Sequence, residues 1–262
     1  MDSGPERVAA LLLAFGQGGG PGGEHSVSEL ARSVGRERSQ VSRMLQAMQR
    51  GGLVEQHPES RAYRLSWSLL ILAAGAGDTP LLHVARPVLQ TLVARKGEVA
   101  LLSVQQGNRS LTVLREESHQ SLRAGGWVGR SSPMHCTASG RALLFDSDDA
   151  LVEELTAGDL ATPMSALAAP ATLSELFERL HTERAQGYAV ASEEAEVGLT
   201  SVGVPVRDRN DSIIAVVNVS GPTSRLVHRV EEVAQILKSA SAAIRRNLEL
   251  PAPTQAAARR RG

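Results

Sequence analysis

Aromatic side chains are scarce: three Phe, two Trp and two Tyr amount to 3% of the chain. Its cores must therefore be built from Leu, Val and Ala. Cysteine is almost missing too, since Cys136 stands alone, which excludes an intrachain disulfide and the paired thiolates of a structural zinc site. No apolar run approaches the roughly 20 residues of a bilayer-spanning helix; the longest cover 11–15 and 69–74. The N-terminus has no basic start followed by a sustained apolar stretch, so a reducing cytoplasm is the expected location and no membrane is involved. A surplus of either charge is also lacking, with 28 basic against 28 acidic residues. That balance excludes a general coat of positive charge for nucleic acid, and any such contact must come from a local patch.

What is present fits a globular protein, 42% hydrophobic and 21% charged. At 262 residues, two domains are expected, each with its own core. The segment PERVAALLLAF carries apolar residues at helical spacing, and the glycine-rich run 16–25 cannot continue it. Ser26 and Glu29 have the S-x-x-E spacing of a capping box at the head of a second helix, closed by Gly35. A third helix spans about 37–49, with Val41, Met44, Leu45 and Met48 on one face, and stops at Gly51 and Gly52. Two short strands around a turn at 57–61 follow as a wing. Three helices and a hairpin make residues 1–65 a winged helix-turn-helix.

The third helix turns Arg38, Ser39, Gln40, Ser42 and Arg43 away from its apolar face. Arg pairs with guanine N7 and O6, Gln with adenine N6 and N7, and Ser serves bases or phosphates, so this is a composition for reading a major groove. Between Ser28 and Arg64 seven arginines stand against four glutamates, a local surplus of three. Arg61, on the wing, is a candidate phosphate contact. The expected partner is double-stranded operator DNA. One recognition helix reads too few base pairs for useful specificity, which predicts a homodimer or a dimer of dimers.

Residues 66–80 are read as a linker: a helix over 67–74, then the break GAGDTP. Beyond it, helices are predicted at 81–95, 138–145, 149–155, 173–186 and from Val230 to Leu248, and strands at 99–106, 109–116, 188–192, 201–207 and 213–220. Residues 81–250 are thus an α+β domain with an antiparallel sheet, and 251–262 an expected disordered tail.

In the blocks SVSELARSVGRERSQVSRMLQAMQRGGLVEQ, YRLS, SSPMHCTASGRALLF, GYAVASEEAEVGLTSVGVPVRD and AVVNVSGPTSR, the chain resembles the IclR family of bacterial transcriptional regulators, from Glu6 to Leu248. The resemblance implies a GAF-like effector domain in which the acid of a small ligand is held at the start of the helix after PMHCTASG. The positions concerned are Thr137, Ala138 and Ser139, where a helix N-terminus offers free N–H groups. Across the sheet the matching positions are Ala191, Ser201, Asn218 and Ser220. Where some members carry a carboxylate this chain has Ala191, and where some carry cysteine it has Ser201. The resemblance also assigns the dimer contact to the first domain and the linker helix. Together these readings predict a ligand-responsive repressor sensing a small organic acid or related metabolite.

The rival class is a small-molecule enzyme with an appended helical module. His135 and Cys136 adjoin, but on a strand they would face opposite ways. Glu193, Glu194 and Glu196 form an acidic run read as a solvated loop. The glycine-rich stretch 16–23 lacks the Lys and Ser/Thr of a phosphate-binding loop. No catalytic residue, metal or cofactor is expected.

Overall fold

A computed structural model describes residues 3–16, 23–69, 72, 79–117, 128–160 and 168–249. The chain divides into two compact units, Met1–Thr79 and Pro80–Gly262.

In the first unit, helix α1 (Gly4–Ala14) opens with a reciprocal cap between Ser3 and Glu6 that sequence reasoning overlooked. Helix α2 (Val27–Ser33) opens with the predicted one: the Glu29 N–H donates to Ser26 Oγ at 3.2 Å and the Ser26 N–H to Glu29 Oε2 at 2.7 Å. Gly35, at φ 61°, makes the turn into α3 (Arg38–Arg50); a side chain there would force a left-handed backbone. Strands β1 (Val54–Gln56) and β2 (Tyr63–Leu65) pair antiparallel. His25 bridges to Tyr63 as a third edge, and its Nε2 lies 3.3 Å from the Phe15 carbonyl. Leu11, Phe15, Leu30, Val41, Leu45, Met48, Val54 and Tyr63 form one core. Each fully buried side chain of this size contributes about 1.5–3 kcal/mol.

The second unit begins with α4 (Thr79–Lys96) and the hairpin β3 (Val99–Gln106) and β4 (Arg109–Glu116). There follow β5 (Ser131–Pro133), α5 (Ala138–Leu143), α6 (Asp149–Leu160) and α7 (Leu173–Gln186). Strands β6 (Ala189–Ser192), β7 (Leu199–Arg207) and β8 (Ile213–Pro222) lead to the short α8 (Thr223–Leu226), a 3-10 turn and α9 (Val230–Glu249). The six-stranded sheet has the order β5-β4-β3-β8-β7-β6, antiparallel at each pairing.

Helices cover both faces of this sheet. One face sends Ala100, Leu102, Val202, Val204, Val217 and Val219 against α4 and α9. The other sends Ala189, Ala191 and Val216 toward α5, α6 and α7. Double burial is why β8 reads as a nearly continuous apolar run, although its side chains alternate.

The three-residue edge strand β5, with Pro133 paired to Arg109, was not foreseen; proline is tolerated there because an edge N–H needs no partner. Helix α6 runs to Leu160 rather than 155. Of the linking helix predicted over 67–74, residues 67–69 and 72 are described and the rest lies outside the described residues, as do 17–22 of the glycine-rich loop and the tail 251–262.

Candidate nucleic-acid interface and effector site

Helix α3 buries Val41, Leu45 and Met48. That anchoring leaves Arg38, Ser39, Gln40 and Arg43 exposed and Ser42 half-buried. Ser39 and Gln40 lie four and three residues before Arg43, so the three share one stretch of surface. Among the described residues no hydrogen bond or ion pair holds the Arg38 or Arg43 side chain. Arg64 differs: it pairs with Glu55 across the wing at 3.0 Å.

The wing tip is held by its own hydrogen bonds. The Arg61 N–H donates to the His57 carbonyl at 3.0 Å, Gln56 Nε2 donates to the Arg61 carbonyl at 2.9 Å, and the Glu59 and Ser60 N–H groups point at His57 Nδ1. Arg61 itself occupies a left-handed backbone at φ 58° with an exposed side chain.

In the second unit, register fixes the sheet residues. Ala191 pairs with Ser201, Ser201 with Ser220, and Asn218 with Gly203. All four expected sheet residues therefore share the face that α5 covers. Asn218 and Ser220 are each 4% exposed, and Asn218 Nδ2 donates to Ser220 Oγ at 3.3 Å. Asn218 Oδ1 is buried without a hydrogen-bond partner.

Thr137 is the N-cap of α5: its hydroxyl accepts from the Gly140 N–H at 3.0 Å and donates to the Pro133 carbonyl at 2.9 Å. Those two bonds account for its hydroxyl as a cap. Ser139 Oγ accepts from Ser110 Oγ at 3.0 Å, and Ala138 is fully buried. Two glycines set how closely α5 seats. A Cβ on Gly203 would lie 3.0 Å from the Ala138 carbonyl oxygen, and one on Gly140 would lie 2.5 Å from the Met134 Cα and carbonyl oxygen.

Sequence reasoning missed the strongest electrostatic feature. Arg141, 0% exposed on α5, grips Glu183 of α7 through Nε and Nη2 at 2.9 and 3.0 Å. It also reaches Glu194 Oε2 at 2.5 Å and the carbonyls of His135 and Val190 at 2.9 and 2.5 Å. Arg179 adds a second cation to Glu194 at 2.7 Å. Glu194 therefore does not belong to a solvated loop. It is 1% exposed, because two guanidiniums offset the cost of taking its charge from water. Burial pushes its carboxyl above the usual range, more than Arg141 and Arg179 pull it down. The only signal in the sequence was an arginine set in the apolar stretch ASGRALLF.

His135 and Cys136 lie in a turn between β5 and α5, not on a strand, and both are buried. Burial pushes the Cys136 thiol up to about 11 and His135 down. At neutral pH the thiol stays protonated, a poor nucleophile. Among the described residues no group of three or more His, Cys, Asp or Glu is placed to hold a metal ion, and no helix is long and apolar enough to cross a membrane.

A winged helix-turn-helix with an unpaired basic face, followed by an α+β unit with polar residues on one sheet face, defines a two-unit DNA-binding regulator. The model described as "IclR helix-turn-helix domain" matches residues 4–58 and that described as "Bacterial transcriptional regulator IclR C-terminal" matches 74–246. The chain belongs to the IclR family of bacterial transcriptional regulators. It is similar to the HTH-type transcriptional regulator KdgR of Dickeya chrysanthemi, 32% identical over 86% of this chain and 74% of that protein. The HTH-type transcriptional repressor AllR of Escherichia coli is 28% identical over 84% and 80%. An IclR homolog from Microbacterium hydrocarbonoxydans, solved with 4-hydroxybenzoate, superposes with a TM-score of 0.74 at 23% identity, covering 92% of this chain and 99% of that one. That likeness shows a shared fold.

Proposed function

We propose that this regulator is a repressor that reads operator DNA through α3 and is released or retained by a small organic acid bound in the second unit. The observation that carries the DNA reading is the unpaired, exposed pair Arg38 and Arg43 on the helix of the helix-turn-helix that faces away from its core. Ser39, Gln40 and Ser42 complete the base-reading surface and Arg61 meets phosphate from the wing. The repressing sign follows the relative named AllR, and an acid effector accords with the ligand named for the Microbacterium homolog.

For the acid, the N–H groups at the start of α5, at Ala138 and Ser139, precede any intrahelical acceptor, with Thr137 as cap. Ala191, Ser201, Asn218 and Ser220 supply the opposing wall. A ligand shifts the regulator only if it binds the DNA-competent and DNA-incompetent arrangements with different affinity. The molecule acts as a homodimer or a pair of dimers, inside the cytoplasm, and carries out no chemistry on its effector.

The test uses DNA selected by the full-length protein from a random pool. Arg43→Ala should weaken binding to the selected sequence by roughly 5- to 150-fold and relax preference at one base position, the range for a bidentate base contact. Arg61→Ala should weaken all sequences alike. Unchanged affinity and unchanged selected sequences in an Arg38→Ala/Arg43→Ala protein would overturn the assignment.

A further inference from the structure

Asn218 stands in the middle strand of three, flanked in register by Gly203 of β7 and Leu101 of β3. Neither neighbour brings a donor. Along β8 the same face presents Val216 on one side, without a polar atom, and Ser220 on the other, whose Oγ already receives Asn218 Nδ2 at 3.3 Å. The amide oxygen is thereby left with no donor although the residue is 4% exposed. Buried carbonyl oxygens are paired in the great majority of proteins, because an unpaired one loses its water without compensation. A strand that elsewhere on this face carries Val216 within the core has no structural need of an amide there.

From this we infer that the effector carries a hydrogen-bond donor, a hydroxyl or amino group, beside its carboxylate, and that Asn218 Oδ1 is the acceptor that selects for it. The inference rests on the acid-site reading above and narrows it from organic acids to hydroxy or amino acids. A plain acid leaves the oxygen unpaired in the complex, and a keto acid sets one acceptor against another. Selection is then strong because the penalty falls on the wrong ligand, not only on a missing attraction.

The test exposes the full-length protein to matched sets of acids: acetate with glycolate and glycine, propionate with lactate, alanine and pyruvate, and phenylacetate with mandelate and phenylglycine. Retention is read by native mass spectrometry and affinity by the concentration dependence of the melting temperature. The donor-bearing member of a set is expected to outbind its plain parent by about tenfold or more, and in Asn218→Leu the two should fall within about twofold of each other. The ligand-free Asn218→Leu protein should also melt at a higher temperature, since the orphaned oxygen is gone; Asn218→Ser serves for the binding comparison if leucine does not fit. Parents that bind as well as their hydroxylated partners, or pyruvate outbinding lactate, overturn the donor requirement while leaving the acid site standing. Retention of no acid overturns the acid-site reading itself, and the donor requirement with it.

Discussion

Replacing Arg141 by methionine keeps an unbranched apolar stem in place and removes only the guanidinium, which makes it a sharp probe of the buried ion cluster. The lost group donates to Glu183 at 2.9 and 3.0 Å, to Glu194 at 2.5 Å and to two backbone carbonyls. Adding charge-assisted bonds at face value would overstate the loss, because the abandoned carboxylates can take up protons. Breaking a buried pair from one side costs about 3–5 kcal/mol. At roughly 2–4 °C per kcal/mol for a domain of this size, the second unit should melt about 6–20 °C lower. The penalty must depend on pH. Burial already raises the Glu194 carboxyl in the wild type, so what that group contributes is greatest below its ordinary value and falls as pH rises through the raised one. Without Arg141 the rise is larger, so the gap between variant and wild type should widen from pH 5 to pH 8. Arg141→Met combined with Glu183→Gln and Glu194→Gln should recover much of the loss, since no buried charge is then left uncompensated. Thermal melts followed by circular dichroism at both pH values decide the matter. A drop under about 2 °C, or an identical drop at pH 5 and pH 8, would refute the reasoning.

Gly140→Ala should destabilise the second unit by about 1–3 kcal/mol, because the new Cβ meets backbone atoms of Met134 at 2.5 Å; urea unfolding measures it. In the first unit, the Ser26 N–H holds the Glu29 carboxyl below the usual carboxylate range. That stabilisation is present above the ordinary value and lost as pH falls through the lowered one, so acid titration of the helical signal should show a low-pH loss that Glu29→Gln reduces and that Glu6→Gln, which removes the matching cap of α1, reduces further. Cys136, fully buried with its thiol raised to about 11, should resist iodoacetamide at pH 8 in native protein and react once guanidinium unfolds the chain; comparable rates in both states would contradict its burial. Arg61→Ala should lower the slope of log affinity against log salt by about one, the signature of a single phosphate contact.

Local chemistry was legible in the sequence wherever it decides structure by itself. The Ser26 and Glu29 capping box, the two strands that turn at Gly107 with φ 59°, and the span of α7 over 173–186 each follow from residues close in sequence, whereas the Ser3–Glu6 cap of α1 and the Thr172 cap of α7 were not read from it. The exposed row on α3 was legible for the same reason, since helical period alone divides Val41, Leu45 and Met48 from Arg38, Gln40 and Arg43. Strand order was not. The alternation of β3 and β8 says which residues share a face, yet nothing in either strand says that Val99 will lie beside Ser220. The ion cluster was hidden by the same distance: Glu194 is buried only because Arg141, 53 residues away, arrives to pair with it, and an isolated acidic run reads as solvated. Between these cases lies β8. Its apolar letters show a strand covered on both sides, and the two polar letters, Asn218 and Ser220, fall with period 2 on a single face. A strand that keeps Val217 and Val219 in one core while giving amide and hydroxyl to the other loses stability on that side alone. On the proposed reading that one-sided loss is the cost of a ligand-binding wall, and the unpaired oxygen of Asn218 is the position at which the matched acids test ligand choice.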